Sequence, residues 1–244
     1  MKNCLLIEIL TEELPPNSLL YLQKSFSTSI LEKLVDLKFI KHRNFKSYIT
    51  PRLVGAGIGS FTNNYKHLVK NLTLSELDEE NFQYIKKKFE NENIKITNSL
   101  TENINESFDT IMYLNVLEHI KDDIEEINQA YKKLNKNGHL IILVPAHNKL
   151  YSKFDKEIGH HKRYEMEFFK NININNSEIS KIIYLDATGY FLYYLNKIFF
   201  KEEVYPSKLK IFLWDKFFTP ITFFLDKILL NRIGKNIIYI LKKL

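Results

Sequence analysis

Hydrophobic residues form short runs separated by longer amphipathic segments, an arrangement typical of alternating strands and helices. Apolar runs of strand length lie at 4–10, 68–76, 93–97, 108–118, 139–146, 181–187 and 236–243. Apolar residues spaced three and four apart predict helices at 15–37, 78–92, 122–138, 189–200 and 207–230. We expect Gly138 to end the third of these helices, since glycine is favoured after a helix C-terminus. Strands that alternate with helices predict an α/β fold with a doubly wound, mostly parallel sheet.

The bulk composition fits a cytoplasmic globular protein. The 244 residues are 45% hydrophobic and 26% charged, which provides enough apolar side chains for a substantial core. The single cysteine, Cys4, excludes an internal disulfide and suits a reducing compartment. The apolar run near Met1 is too short for a secretory signal peptide, so we expect a cytoplasmic location.

Positive charge is concentrated near the C-terminus. Residues 201–244 contain nine basic and four acidic residues and hold most of the net charge of +6. The segment is also rich in Phe, Ile and Leu, so its amphipathic helices could make peripheral contact with a membrane. The alternative, a solvated lysine face on helices that pack against the protein body, is favoured because lysine is abundant throughout the chain.

A glycine-rich turn and an acidic residue suggest a nucleoside-cofactor site. Gly55, Gly57 and Gly59 provide three positions where a ligand can approach the backbone closely. Glu76 follows about seventeen residues later, at the end of the next predicted strand, where a carboxylate can bind both hydroxyls of a ribose. The alternative for the glycines is a plain tight turn. The chain lacks the Gly-Lys-Ser/Thr sequence of a nucleoside triphosphate loop.

Five segments, taken in order, resemble a class I S-adenosylmethionine-dependent methyltransferase with a Rossmann-like sheet. They are VGAGIGSFT, LSELDEENF, SFDTIMYLNVLEHIKDD, the segment from KLNKNG to HHKRYE, and the segment from LWDKFF to IYILKK, and the resemblance covers roughly 53–244. It implies that Gly55, Gly57 and Gly59 bind the methionine part of S-adenosylmethionine and that Glu76 binds its ribose. It further implies that Ser99 and Leu100 flank the adenine and that Asn115, with the chain into Leu117–His119, lines the wall facing the methyl donor.

The segment HHKRY, which follows the fifth strand of the resemblance, is a candidate for acceptor recognition. This loop lies near the carboxyl ends of the strands and could position an anionic acceptor, with His160 or His161 as general base and Tyr164 as a further catalytic candidate. The alternative is a solvated turn. Likewise, Glu118 and His119 could be a helix N-terminal acid and a half-buried histidine. By spacing, the histidines do not complete a metal-ligand set, so no metal is expected.

Residues 1–52 resemble a different family, the β subunit of bacterial glycyl-tRNA synthetase. The motifs TEELPP (11–16) and TPR (50–52) carry this resemblance, which departs at Leu10, where the synthetase family usually has glycine. The chain would then be a chimera, with residues 1–52 as a strand–helix appendage and 53–244 as a methyltransferase domain. Leu53 stands where such methyltransferases usually carry an acid. We hypothesise that 45–54 forms the central first strand and that cofactor binding is weakened.

The leading expectation is therefore methyl transfer to a small-molecule or lipid-linked acceptor. One alternative is a synthetase-related fragment, whose partners would be the synthetase α subunit or tRNA. Another is a non-catalytic α/β binding module.

Overall fold

A computed structural model gives the fold of residues 4–8, 66, 70–77, 79–199 and 219–244. Seven strands in these ranges form one sheet with the order β3-β2-β1-β4-β5-β7-β6. In chain order they are β1 (Cys4–Glu8), β2 (Asn71–Ser75), β3 (Ile94–Thr97), β4 (Phe108–Leu114), β5 (Leu134–Pro145), β6 (Ser177–Leu185) and β7 (Asn236–Lys243).

Six α-helices in the described ranges connect the strands or follow them. They are α1 (Glu79–Lys88), α2 (Asp123–Lys132), α3 (Lys153–Glu157), α4 (Met166–Lys170), α5 (Ala187–Phe199) and α6 (Thr219–Ile228). Short 3₁₀ turns cover Thr101–Asn103, Leu117–His119 and Asn148–Leu150. Within these ranges, none of the helices has the length and apolar character needed to cross a lipid bilayer.

The mostly parallel α/β sheet predicted from the sequence is confirmed. Strands β1 to β5 pair in parallel, and β7 runs antiparallel to both β5 and β6. The runs predicted at 68–76, 93–97 and 236–243 contain β2, β3 and β7. Their apolar residues are largely buried in β2 and β7, as expected for strands covered on both faces.

The N-terminal strand was predicted to belong to an appendage, but it is part of the main sheet. Strand β1 lies in the middle of the sheet, where it pairs with β2 through Glu8 and Ser75 and with β4 through Glu8 and Tyr113. The central position that we expected 45–54 to take is therefore occupied by residues 4–8. Residues 45–54 and the predicted helix at 15–37 lie outside the described residues. The predicted boundary between 52 and 53 stays a prediction.

Gly138 was expected to end a helix, and that prediction is wrong. Helix α2 ends at Lys132, and Gly138 lies within β5, beside an irregularity in its pairing with β4. A Cβ atom at Gly138 would stand 2.8 Å from the carbonyl oxygen of Asn135 and 3.1 Å from that of Asp109. Close approach of two backbone segments, rather than helix termination, explains this glycine.

An aromatic cluster anchors the segment after β5 to the sheet. Phe169 of α4 is fully buried and stacks on Tyr239 of β7, with ring centroids 4.8 Å apart, and Tyr164 lies 5.4 Å from Phe169. The backbone N–H of Tyr164 donates to Pro145 O, and the N–H of His147 donates to Tyr164 O. The loop that contains residues 158–165 is thus fixed beside the carboxyl end of β5.

Replacing Leu6 by proline tests whether β1 is the central strand. Proline removes a backbone donor from a strand paired on both sides, so Leu6→Pro should lower the free energy of unfolding by about 3 kcal/mol or more relative to Leu6→Ala. Leu6→Ala is the matched control because it also loses the leucine side chain but keeps the N–H. Urea unfolding followed by circular dichroism measures the difference, and equal stabilities would contradict the central position of β1.

Candidate functional site

The carboxyl ends of β1, β2 and β4 meet at one edge of the sheet. Glu8, Ser75 and Tyr113 stand in register there. From β1 the sheet extends through β2 and β3 on one side and through β4 and β5 on the other. The strand order therefore reverses next to β1. In open α/β sheets, ligands bind in the crevice at such a point. The residues that follow β2 and β4 are therefore the first candidates for a site.

Glu76 and Ser99 lie next to each other at this edge. Glu76, 3% exposed, follows β2 directly, and its N–H donates to Thr97 O over 3.1 Å. The hydroxyl of Ser75 donates to Ser99 O over 2.7 Å, and Thr97 Oγ1 donates to Ser99 Oγ over 2.8 Å. Leu100 follows with 45% of its surface exposed. The residues expected to bind ribose and adenine are thus neighbours in the fold.

Asn115 turns the chain at the end of β4. Its φ of 55° lies in the left-handed region, which asparagine adopts more readily than most residues. Its N–H donates to Leu143 O over 2.9 Å and so extends the pairing of β4 with β5 by one residue. The turn leads directly into the 3₁₀ element Leu117–His119.

Glu118, His119 and His160 form a buried cluster beyond this turn, which we call the Glu-His-His cluster. Their exposed fractions are 0%, 8% and 3%. Glu118 Oε1 lies 3.7 Å from His160 Nε2, and the two imidazole rings meet edge to face with centroids 4.7 Å apart. One carboxylate and two imidazoles from separate parts of the chain can bind a cation or take up a proton.

Asp155 orients His160 from the side away from Glu118. Asp155 Oδ1 accepts hydrogen bonds from His160 Nδ1 at 2.8 Å and from Arg163 Nε at 2.9 Å. Its Oδ2 accepts from the N–H and hydroxyl of Ser152, both at 2.9 Å. Burial alone would raise the pKa of Asp155, but the hydrogen bond from His160 and the charge of Arg163 hold that pKa well below its ordinary value. A charged Asp155 favours a proton on Nδ1, and the other ring nitrogen of His160, Nε2, faces Glu118.

Tyr164 and His161, the other two residues expected to act in catalysis, are not part of the Glu-His-His cluster. Tyr164 is 1% exposed, and its hydroxyl lies 3.0 Å from Leu117 O and 2.8 Å from Asp123 Oδ2. Burial, followed by the charge of Asp123, raises the pKa of Tyr164 far above its ordinary value, so its hydroxyl stays protonated and supports the 3₁₀ element. His161 is exposed, while its N–H donates to Glu118 O. The fold therefore brings His160 of this loop into the Glu-His-His cluster.

The sequence interpretation overlooked Asp155, included Arg163 only as one cation of the HHKRY loop, and did not connect His160 with His119. The only sequence signal for Asp155 is its position three residues after Ser152, which predicts a helix capping box, and the structure contains that box at α3. Gly159, with a φ of 84°, allows the sharp turn that returns His160 over His119. Spacing along the chain predicts no metal-ligand set, and the fold brings together three side chains that could hold a metal ion. Gly55, Gly57, Gly59 and Leu53 lie outside the described residues.

Residues 54–178 match the sequence model of a family described as a methyltransferase domain. This range contains β2 to β5 together with every residue of the Glu-His-His cluster. It starts after the segment of the chain that resembles a synthetase.

Several solved structures have a similar fold, and two of the three described here are named as methyltransferases. Coclaurine N-methyltransferase bound to N-methylheliamine and SAH is 13% identical and superposes with a TM-score of 0.52 over 78% of this chain and 66% of that one. An S-adenosylmethionine-dependent methyltransferase from Clostridium acetobutylicum is 15% identical, with a TM-score of 0.51 over 91% and 92%. The YcgJ protein from Bacillus subtilis is 9% identical, with a TM-score of 0.51 over 99% and 92%. The chain thus spans slightly less than two thirds of the first of these proteins.

A search of curated proteins finds no match to this chain. The resemblance of residues 1–52 to a synthetase therefore gains no support from the curated proteins, and the family match lies outside that segment. What the comparisons establish is the methyltransferase domain and its fold.

Replacing Asp155 by asparagine tests the charge network behind His160. Asp155→Asn leaves the buried Arg163 without its anionic partner and should lower the free energy of unfolding at neutral pH by about 3–5 kcal/mol. Folding lowers the pKa of Asp155, so its charged form stabilises the folded state. This contribution to the free energy of unfolding is complete above the pKa of Asp155 in the unfolded chain, and it is lost as the pH falls through its pKa in the folded protein. The difference in free energy of unfolding between wild type and Asp155→Asn should thus become smaller below about pH 5.

Urea unfolding from pH 7 down to pH 3 measures this difference. Glu167→Gln is the matched control, because the Glu167 side chain is 71% exposed and its loss of charge should change stability by less than about 1 kcal/mol. A difference that stays constant with pH, or that equals the control, would contradict the proposed network.

Proposed function

The chain belongs to the methyltransferase domain family, and we propose that it transfers a methyl group from S-adenosylmethionine to a small-molecule or lipid-linked acceptor. The observation that carries this proposal is the placement of Glu76 and the Glu-His-His cluster at the same edge of the sheet, on either side of β1. One side provides a ribose-binding acid, and the other provides polar groups for an acceptor.

The residues at the end of β2 fit the nucleoside part of the cofactor. A carboxylate accepts hydrogen bonds only, which matches the two hydroxyl donors of a ribose, and Glu76 holds such a group at the strand-order reversal. Ser99 and Leu100 lie one strand further out, where the exposed leucine can cover one face of an adenine. Gly55, Gly57 and Gly59 are proposed to bind the methionine part, and Asn115 the wall between cofactor and acceptor.

S-adenosylmethionine supplies an electrophilic methyl group on a positively charged leaving group, so the protein has mainly to align the acceptor and exclude water. The Glu-His-His cluster lies beyond Asn115 and is the polar surface that would contact the reacting atom of the acceptor. We assign His160 to the acceptor, because Asp155 fixes its orientation. Deprotonation of the acceptor at this cluster would raise its nucleophilicity.

The surface of α6 supports the lipid-linked form of the acceptor. Ile221, Phe224 and Ile228 are exposed on this helix at 46%, 67% and 57%, and Lys227 lies among them. Apolar and basic residues on one helix suit contact with a lipid surface. Radiolabelled methyl groups from S-adenosylmethionine should then appear in an organic extract of incubated membranes, whereas a small-molecule acceptor would leave the label in the aqueous phase.

Neither rival function has a specific observation in its favour. Within the described ranges, strand β1 belongs to the methyltransferase-type sheet, and no feature of the fold favours the synthetase alternative. A non-catalytic binding module would retain the fold but would not need the oriented His160.

Replacing Glu76 by glutamine tests the cofactor site. The change keeps the shape but removes the charge, and loss of charge-assisted hydrogen bonds to the ribose should weaken S-adenosylmethionine binding about 10- to 100-fold in calorimetric titration. Glu90→Gln is the matched control, since Glu90 lies exposed beyond the far end of α1. Absence of binding by the wild-type chain would overturn the proposed function, and unchanged affinity in Glu76→Gln would remove Glu76 from it.

A further inference from the structure

We propose that Glu118, His119 and His160 bind one divalent transition-metal ion at the acceptor end of the site. Binding of the ion is independent of the proposed methyl transfer, although its use in that reaction rests on the proposed function.

The ligating atoms are already close to coordination spacing. One ligating atom from each residue lies within 4.8 Å of the others, and Glu118 Oε1 is 3.7 Å from His160 Nε2. Two atoms bound about 2.1 Å from a tetrahedral ion are about 3.4 Å apart, so small side-chain rotations would complete the site. Two imidazole nitrogens and one carboxylate oxygen suit Zn²⁺, Fe²⁺ or Mn²⁺ better than Mg²⁺ or Ca²⁺, which prefer oxygen ligands.

The group behind His160 has the form found behind metal-binding histidines. Such histidines almost always donate their other ring N–H to a carboxylate, a carbonyl or water, which fixes the tautomer and strengthens the ligand. His160 Nδ1 lies 2.8 Å from Asp155 Oδ1, and Arg163 holds that carboxylate in its charged state. Nε2, which lies 3.7 Å from Glu118 Oε1, is therefore the nitrogen that would coordinate the ion.

The backbone around the three residues is fixed independently of any ion. His119 N donates to Val116 O, His160 N donates to Asp155 O and His161 N donates to Glu118 O. The Tyr164 hydroxyl donates to Leu117 O and so stabilises the 3₁₀ element Leu117–His119. A site whose ligands are already placed loses little conformational entropy on binding the ion.

The local charge also favours a cation. Glu118 is fully buried, and the charge of Arg163 is already matched by Asp155 within 2.9 Å. A buried carboxylate attracts a cation beside it more strongly than an exposed one, because little water screens the charge. Because the protein offers three ligands, a bound divalent ion keeps a coordination position for the acceptor.

With an ion bound, His160 acts on the acceptor as a metal ligand. The ion would bind an oxygen or nitrogen atom of the acceptor and lower the pKa of that atom, so that its proton passes to solvent before methyl transfer. Acceptors whose reacting hydroxyl or amine can itself bind the ion would therefore be preferred.

The first experiment is titration of the chelator-treated full chain with Zn²⁺ by calorimetry and with Co²⁺ by visible absorption. We expect one ion per chain and an intense Co²⁺ spectrum typical of low coordination number. His119→Gln and His160→Gln should each lower Zn²⁺ affinity by more than about 100-fold. His139→Gln is the matched control, because His139 lies on β5 well before its carboxyl end and should leave the affinity unchanged. X-ray absorption of the Zn²⁺-loaded wild type identifies the ligands without any variant.

Titration of the same metal-free chain with S-adenosylmethionine separates this proposal from the proposed function. Cofactor binding without Zn²⁺ binding would overturn the metal site and leave methyl transfer standing. Zn²⁺ binding without cofactor binding would support the metal site and overturn the function. Equal Zn²⁺ affinity in wild type, His119→Gln and His160→Gln would also overturn the metal site, since the ion would then bind elsewhere.

Discussion

The buried ion pair between Asp155 and Arg163 is the interaction on which the candidate site depends. The side chain of Asp155 is fully buried, a state that costs several kcal/mol unless its charge is compensated. Its two oxygens accept hydrogen bonds from Arg163, His160, Ser152 and Tyr193, so the compensation is shared among four residues. The bonds from His160 and Arg163 require the loop after α3 to take one path. That path places His160 opposite Glu118, and it places Tyr164 beneath the turn that carries Glu118 and His119.

Parallel strands explain why residues so distant in the sequence meet. Every strand from β1 to β5 ends at the same edge, and the register aligns Glu8 with Ser75 and Tyr113. A side chain just after any of these strands is therefore near the side chains after its neighbours. The fold separates two chemical roles along that edge. Glu76 and Ser99 stand on the β2–β3 side, whereas the Glu-His-His cluster stands on the β4–β5 side, with β1 between them.

Much of the sheet could be predicted because its strands are short apolar runs with clear ends. The run at 236–243 coincides with β7, and Glu76 was correctly expected to follow β2. Gly138 was misassigned because a glycine after a helical pattern predicts a helix end, while the actual requirement is close approach of the backbone at Asn135 and Asp109. The central position of β1 could not be predicted from local pattern, since strand order is set by pairing with residues far along the chain.

The Glu-His-His cluster likewise could not be predicted from local sequence pattern, because the fold brings its residues together. Spacing along the chain separates His160 from His119 by forty-one positions, so only the turn at Gly159 reveals their contact. The hydrogen bond from Nδ1 to Asp155 leaves the other ring nitrogen of His160, Nε2, facing the Glu118 oxygen 3.7 Å away. A ring nitrogen and a carboxylate oxygen at this separation can share a proton or bind one cation. A metal ion at this point would lower the pKa of an acceptor atom bound to it, whereas the cluster without an ion would take up the acceptor's proton itself.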